Sequence, residues 1–280
     1  MRSYGYMGPQ EKSQSRFKSY FKLSLIGILL VVVFALFYAC ADSNKLPFDL
    51  DNVDLIQYKV PSDDTPVVVY ETSQGTFKAV LFPHEAPKYC EYFTKLVNDG
   101  YYNGTHVFIV EKGVYFMGGS KTENGVTDDE TDETQIEQEL SPNLWPFKGT
   151  LMAYGEEKGW LTNKKVQSGS RVLFVNSVEF TDEFIKEIDS VEANKDITET
   201  FKEKGGIPNF SQQYTAFGQV YDGMDTYDKI CGYDVIDAEN NNLQPIDDIT
   251  FNKVYMSTYG ENKNDDFFKL EKVKAGESQK

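Results

Sequence analysis

The chain has 280 residues, of which 40% are hydrophobic and 14% aromatic, and its formal net charge is −16 at pH 7. This apolar content is enough to bury a core in one large or two small domains, and it excludes global disorder. The strongly acidic balance excludes a general electrostatic affinity for nucleic acid. We therefore expect a folded body without a nucleic-acid partner.

The N-terminal part of the chain combines a basic segment with an apolar run. Residues 1–22 carry five basic side chains against one acidic one. Residues 23–41 carry no charge, and a helix of this length spans about 28 Å, close to the thickness of a bilayer core. Since the basic residues precede the run, the positive-inside rule predicts a cytoplasmic N-terminus and a body outside the membrane.

Two kinds of anchor fit this run. An uncleaved signal anchor suits its length, because a cleaved secretory peptide usually has a shorter apolar core and small residues before the cut. Cys40, preceded by Ala39, also fits a bacterial lipoprotein signal, in which the cysteine is acylated after cleavage. Phe37 and Tyr38 match the small and aliphatic residues of that signal poorly. Either anchor tethers the body outside a membrane.

The predicted elements of the body begin after a linker. Residues 42–64 are polar and acidic, with two prolines, and are typical of a spacer. Two strands are predicted over 66–82, around a turn at 73–75. A helix is predicted from Lys88 to Gly100, because apolar residues recur there at helical spacing.

Further short strands and helices are predicted in the remainder of the chain. Further strands are predicted at 107–117, 149–154, 171–180, 214–221 and 249–258. A second short helix is predicted at 224–231, a helical insertion at 181–204 and a charged tail at 261–280, so that the domain occupies 65–260. Many short strands without regular β-α alternation favour an all-β fold, a closed antiparallel barrel, over a doubly wound sheet.

The cysteines and histidines indicate neither a disulfide framework nor a metal site. Cys90 and Cys231 lie in apolar contexts and are expected to be buried thiols. The chain has only two histidines, His84 and His106, and no clustered cysteines. The acidic run at 128–134 lacks the glycine and the ligand spacing of an EF-hand loop. We therefore expect no metal and no cofactor.

Residues 101–119 are the most informative stretch of the chain. They read YYNGTHVFIVEKGVYFMGG, and from Tyr102 to Gly119 they align without a gap with Y-x-G-T-x-F-H-R-V-x-x-x-F-M-x-Q-G-G. The stretch thus resembles a segment of cyclophilin-type peptidyl-prolyl isomerases. The other motifs that resemble the family follow its order and are GTFKAVLFPHEAPKYCEYF (75–93), KGTLMA (148–153), GSRVLF (169–174) and YTAFGQVYDGMDTYDKI (214–230).

This resemblance spans about residues 66–258 and implies a fold. The expectation is an all-β, cyclophilin-like closed eight-stranded antiparallel barrel with two capping helices, to which the chain adds its helical insertion. Together with the anchor, the motifs suggest a divergent, membrane-anchored member of bacterial type.

The resemblance also implies a chemistry, with one departure. The arginine of the family donates toward the prolyl nitrogen of the twisted amide, and Ile109 stands at its position, while Met117 stands at the position of a neighbouring glutamine. Loss of one such donor costs about 3–4 kcal/mol, or roughly 10²–10³ in rate. Arg171 is the only arginine after residue 22 and stands at a glutamine position that faces the family's active site. Our hypothesis is that Arg171 is a relocated catalytic donor; the alternative is that it only lines the groove or pairs locally.

The substrate-binding positions implied by the resemblance are mostly apolar. They are Ile109, Val114, Tyr115, Met117, Met152, Ala153, Leu173, Phe210 and Tyr214. Val114 and Leu173 replace phenylalanines of the family, so we expect a shallower site that buries less apolar area. The expected function is an extracytoplasmic peptidyl-prolyl isomerase with a degenerate active site, acting on proline-containing segments of exported proteins. The alternative is a catalytically inactive pseudo-isomerase that binds such segments or a partner protein.

Overall fold

The computed structural model of the chain describes residues 50, 53–126, 136–158, 165–190 and 194–268. The predicted basic segment 1–22 and the predicted anchor 23–41, with Cys40, lie outside the described residues. Within the described ranges no helix is both long and apolar enough to cross a membrane.

The described residues form short strands and four α-helices, and residues 265–268 are helical as well. The strands are β1 (Pro66–Thr72), β2 (Gly75–Leu81), β3 (Thr105–Glu111), β4 (Tyr115–Ser120), β5 (Ile136–Glu137), β6 (Thr150–Lys158), β7 (Lys165–Val175), β8 (Thr215–Asp222), β9 (Val235–Asp237), β10 (Asn242–Pro245) and β11 (Ile249–Thr258). The helices are α1 (Pro87–Asn98), α2 (Asp182–Ser190), α3 (Lys195–Lys204) and α4 (Met224–Cys231). Short 3₁₀ turns occur at Ile56–Tyr58, Pro208–Phe210, Ala238–Asn240 and Tyr259–Glu261.

Eight of these strands close into an antiparallel barrel. Their hydrogen-bonded order is β4-β3-β11-β1-β2-β8-β6-β7, and β7 pairs back onto β4. β5 pairs with the first part of β7, and β9 and β10 form a separate two-stranded sheet. The predicted eight-stranded antiparallel barrel is therefore confirmed. Because the barrel is closed, each of the eight strands pairs with a neighbouring strand on both sides.

The barrel interior is filled by interlocked aromatic rings. Phe174 stacks on Phe116 with the ring centroids 4.5 Å apart, and Tyr70 stacks on Phe77 at 4.7 Å. Phe251 meets both Tyr70 and Phe174 edge to face. All of these rings are fully buried, and such pairs add about 0.5–1.5 kcal/mol each to the free energy gained from burying their area.

Both predicted capping helices are present. α1 begins at Pro87, where the missing N–H costs nothing because the first helical turn has no acceptor for it. α4 is entered through Gly223, whose φ is +76° and whose added Cβ would lie 2.3 Å from the carbonyl oxygen of Thr76. Only glycine fits there, so this one residue allows α4 to start against β2.

Two strand predictions differ from the structure. The run predicted at 107–117 is two strands, because the chain turns at Gly113, which has φ +80°. The run predicted at 171–180 is displaced: β7 starts at Lys165 and ends at Val175. The early part of β7 is polar and pairs with the end of β6, so it carries no hydrophobic strand signal.

A small second core lies on the outer surface of the barrel. It contains the buried side chains of Trp145, Phe147, Ile197 and Phe201. Two of these come from α3, in the predicted helical insertion, which consists of α2 and α3. The partly buried side chains that pack against this core are those of Leu50, Val53, Leu55, Tyr58 and Phe180.

Gln57 ties the N-terminal segment to the barrel. Its side chain is fully buried, and its Nε2 donates to Thr150 Oγ1 at 2.8 Å and to Gln219 Oε1 at 2.9 Å. Its Oε1 accepts from the backbone N–H of Trp145 at 2.8 Å. Part of the segment predicted to be a linker over 42–64 is therefore integral to the packed domain.

The start of the predicted tail is packed as well. Phe268 is fully buried, and its ring lies 5.8 Å from those of Tyr221 and Tyr259. The charged tail predicted at 261–280 therefore begins, over its first eight described residues, as part of the domain. The many charged residues of this segment predicted a solvent-exposed tail, although Phe267 and Phe268 lie within it.

Candidate functional site

A row of side chains crosses the outer face of the barrel. Ile109 lies opposite Met117, Met117 opposite Leu173, Leu173 opposite Met152, and Met152 opposite Ala216. Residues directly opposite one another in a sheet share a face. We call these five residues the transverse row. Met117, Leu173 and Met152 form its floor and are 4%, 2% and 1% exposed, whereas Ile109 is half-buried.

Strand alternation and one bulge create this row. Phe116, Leu151 and Phe174, the chain neighbours of the floor residues, belong to the interior core. In β3 the pairing shifts register between Val107 and Ile109. The bulge places both Phe108 and Ile109 on the outer face, because the extra residue breaks the alternation.

Half-buried aromatic side chains border the transverse row. Tyr115 contacts Phe210 with the centroids 5.8 Å apart, Phe210 contacts Tyr214 at 5.6 Å, and Tyr214 contacts Tyr154 at 6.0 Å. We call these four residues the aromatic rim. The rim comes from the start of β4, the turn before β8 and the middle of β6, so three separate parts of the chain build it.

Tyr115 and Tyr214 present neutral hydroxyl groups on the rim. Burial raises the pKa of Tyr115, and the charge of Glu111 and the neighbouring phenols raise it further. Burial and the nearby Tyr154 raise the pKa of Tyr214. Among the described residues, none forms a hydrogen bond with the hydroxyl of Tyr115, Tyr154 or Tyr214. These hydroxyls can therefore donate to, or accept from, a bound peptide.

Arg171 lies at the edge of the apolar face. Its Nη2 donates to the carbonyl oxygen of Gly125 at 2.6 Å, and its Cζ lies 5.2 Å from the centroid of the Phe108 ring. Leu173 and Val175, which follow Arg171 at alternate positions along β7, both lie in the same outer apolar cluster as Phe108. The guanidinium therefore adjoins the candidate site and also anchors the turn at 121–126.

Glycine is required at that turn. Gly125 has φ +74°, and an added Cβ would lie 2.4 Å from Cδ2 of Phe108. The turn can therefore pack directly on the ring, which brings its carbonyl group within reach of Arg171.

The structure brings eight of the nine predicted substrate-binding residues into one outer apolar cluster. They are Ile109, Val114, Tyr115, Met117, Met152, Leu173, Phe210 and Tyr214. Ala153 does not reach this face: it is fully buried in the interior core, because it alternates with Met152 along β6. Sequence reasoning missed Phe108, whose position depends on the bulge, and Tyr154, whose spacing of two from Met152 could have revealed it.

One group of possible metal ligands occurs in the described part of the chain. It consists of His106, Glu123 and Asp248, whose donor atoms lie within 4.8 Å of one another. The three residues are far apart in the sequence, and for that reason the sequence suggested no metal site.

Comparison with known proteins relates this architecture to one family. Residues 67–255 match the family model described as "Cyclophilin type peptidyl-prolyl cis-trans isomerase/CLD". A Staphylococcus aureus (strain COL) protein named "Putative peptidyl-prolyl cis-trans isomerase" is 30% identical over 163 residues, which cover 58% of this chain and 79% of that protein. A Staphylococcus saprophyticus protein of the same name is 27% identical over 187 residues, or 67% of this chain and 89% of that protein.

A solved structure shows the same fold. The crystal structure of a cyclophilin type peptidyl-prolyl cis-trans isomerase from Cryptosporidium parvum superposes with a TM-score of 0.52 at 20% sequence identity. The superposition covers 69% of this chain and 98% of the Cryptosporidium chain.

Proposed function

This chain belongs to the cyclophilin-type peptidyl-prolyl cis-trans isomerase family, and from that premise we propose that its apolar face binds proline-containing segments and catalyses their isomerisation weakly. The observation that carries the proposal is the transverse row. Its floor of Met117, Leu173 and Met152 is apolar and almost fully buried, while Ile109 occupies the position of the family's catalytic arginine.

The apolar face suits the binding step. Rotation about an X–Pro bond faces a barrier near 18–20 kcal/mol, because twisting destroys amide resonance. A catalyst has to hold the proline ring and favour the twisted amide over the planar one. The floor offers buried apolar contact to the ring, and the aromatic rim offers ring faces and neutral hydroxyls beside it. A twisted amide has lost the charge separation of resonance, so water exclusion at this face costs it less than it costs the planar form.

The transverse row lacks a hydrogen-bond donor at the position of the family's arginine. Neither Ile109 nor its partner Met117 carries a hydrogen-bond donor on its side chain. A preorganised donor at the prolyl nitrogen is worth about 3–4 kcal/mol, or roughly 10²–10³ in rate. We therefore expect a catalytic efficiency below that of a member with arginine by about this factor.

The test is a proline-isomerisation assay on the full chain in mild detergent. We expect slow turnover by the natural chain and a rise in kcat/KM of about 10²–10³ for Ile109→Arg. Ile236→Arg is the matched control, since it adds the same charge at an exposed site on β9. A natural chain with the activity typical of members with arginine, or an equal gain from Ile236→Arg, would contradict the proposal.

The role of Arg171 is decided in the same assay. If Arg171 is the relocated donor, Arg171→Ala should abolish the slow turnover through kcat, whereas Arg171→Lys should retain part of it. Unchanged kcat in Arg171→Ala would refute the donor role. It would leave Arg171 as the residue that holds the carbonyl group of Gly125 beside Phe108.

A second candidate function is binding without catalysis. The observation in its favour is that the transverse row carries no polar side chain from β3 to β8. On this alternative the natural chain binds proline peptides, monitored by chemical-shift changes of the rim tyrosines, but has no turnover above background. Activity gained by Ile109→Arg in that case would demonstrate an intact groove, and absence of peptide binding would overturn both functions.

The location is proposed from the N-terminal sequence. We propose that the chain is membrane-anchored with its body outside the cytoplasm, where it would act on exported proteins. The support is the apolar run at 23–41 after a basic segment. External protease should degrade the body in spheroplasts, and protection would contradict the orientation. Acyl-glycerol on Cys40, found by mass spectrometry, would establish the lipoprotein form and refute the uncleaved helix.

A further inference from the structure

Three elements place potential metal ligands together at one end of the barrel. His106 lies in β3, opposite Ser120 on one side and Thr250 on the other. Asp248 immediately precedes β11, and its Oδ1 lies 2.6 Å from Nδ1 of His106. Glu123 projects from the turn at 121–126, and the donor atoms of all three side chains lie within 4.8 Å of one another.

The imidazole of His106 is the one basic side chain within this group. In the part of the chain that the structure describes, no lysine or arginine forms an ion pair with Glu123 or Asp248. Lys121 belongs to the same turn, but its ammonium group donates to the carbonyl oxygen of Tyr101 and lies 4.1 Å from the centroid of that ring. Two carboxylates that share one imidazole, without a lysine or arginine partner among the described residues, create a negative potential that favours a cation.

We propose that His106, Glu123 and Asp248 bind a divalent first-row transition-metal ion of the Zn²⁺ class. One imidazole with two carboxylates is a donor set for zinc, manganese, iron or cobalt, whereas calcium and magnesium prefer oxygen ligands alone. Bonds of about 2.0–2.2 Å require donor atoms roughly 3.3 Å apart. Glu123 is exposed on its turn and is the ligand that can move to reach this spacing.

The site has a structural connection to the apolar face. Glu123 lies two residues before Gly125. The carbonyl group of Gly125 accepts a hydrogen bond from Nη2 of Arg171, and its backbone packs against Phe108. An ion that joins Glu123 to β3 and β11 fastens this turn to the barrel. The proposal does not depend on isomerase activity, because binding is measured directly.

The experiment measures Zn²⁺ binding by titration calorimetry on the full chain in detergent, after removal of metals with a chelator. Visible absorption of the Co²⁺ complex reports imidazole and carboxylate coordination. Glu123→Gln, Asp248→Asn and His106→Asn should each raise the Zn²⁺ dissociation constant at least about tenfold, the loss seen when an outer-shell partner alone is removed. Asp247→Asn is the control, since this adjacent carboxylate instead accepts a hydrogen bond from Tyr233 and its removal should leave the constant unchanged.

Unfolding temperatures measured with and without Zn²⁺ distinguish a loss of metal binding from a failure of the variant to fold. Zn²⁺ should raise the Tm of the natural chain and of Asp247→Asn by mass action, and it should not raise that of Glu123→Gln. Glu123→Gln lies on an exposed turn, so its metal-free Tm should equal that of the natural chain. The proposal is overturned if the natural chain does not bind Zn²⁺, or if Glu123→Gln binds it as tightly as the natural chain does.

Discussion

The inner and outer faces of the same strands have different tasks in this molecule. Along β4, β6 and β7 the residues that point inward contribute to a buried core of aromatic rings, in which the Phe174 ring pairs with five others. Their chain neighbours, such as Leu173, form a floor that is buried yet bordered by half-exposed aromatic side chains. One substitution therefore has different consequences on the two faces, although only one residue separates them.

On the proposed placement of Ile109 at the family's arginine position, the difference explains how the chain can keep the fold without that group. The interior tolerates little change, because each ring fits against several others at close-packed density. Ile109 is the half-buried member of the transverse row, so on that placement it can replace an arginine without leaving a cavity or a buried unpaired charge. Catalysis can therefore decay on a barrel that remains intact.

The largest expected effect is on the interior side of this comparison. Phe174→Ala should lower the free energy of unfolding by about 3–5 kcal/mol, because it leaves a cavity among five rings. Phe210→Ala, on the aromatic rim, should cost at most about 2 kcal/mol but should weaken the binding of proline peptides. Chemical denaturation and peptide titration of both variants test this. Equal destabilisation by the two variants would remove the distinction between the faces.

A smaller loss of stability is expected at Gln57, a polar side chain that is as fully buried as the interior rings. Gln57→Leu leaves the backbone N–H of Trp145 without its acceptor, which should cost about 1–3 kcal/mol. Gln213→Leu is the control, because Gln213 is exposed and its loss should change stability by less than about 0.5 kcal/mol. If the two variants had equal unfolding midpoints, residues 53–58 would be dispensable to the domain.

The smallest effect is a pH dependence of the stability that arises from the thiol of Cys90, on the buried side of α1. Burial raises the pKa of Cys90 from an ordinary 9.0 to about 12. The folded state thus favours the protonated thiol, and this contribution is fully present below pH 9 and is lost as the pH rises toward 12. At pH 10 the loss is about 1 kcal/mol.

Denaturation of two variants at pH 8 and pH 10 isolates this contribution. Cys90→Ala should lose less stability between the two pH values than the natural chain, because it has no thiol to ionise. Thr94→Ala, on the same helix, should keep the natural slope. A Cys90→Ala variant with the natural slope would show that the thiol is not shielded from water in solution.

Much of this protein could be predicted locally. The helix that begins at Pro87, the strand from Ile249 to Thr258 and the helix from Met224 to Cys231 follow from apolar spacing and end signals. The ordered motifs supplied the barrel and most of the apolar face. The side chain of Ala153 lies in the interior core, which the motif did not indicate, because a motif match does not state which face of a strand a residue occupies. The packing of Gln57 was missed because a buried glutamine in a polar segment has no periodic signal.

The sequence alone indicated the family, the order of most elements and the presence of isoleucine rather than arginine at position 109, because these are properties of residues read along the chain. Tertiary structure alone decided which side chains meet. A bulge in β3 places Phe108 on the outer face, and the turn at Gly125 accepts a hydrogen bond from Arg171. Strand pairing brings His106 next to Asp248, which is 142 positions away along the chain. Such contacts depend on sheet register and barrel closure, which shift whole sets of side chains together, so no local pattern records them.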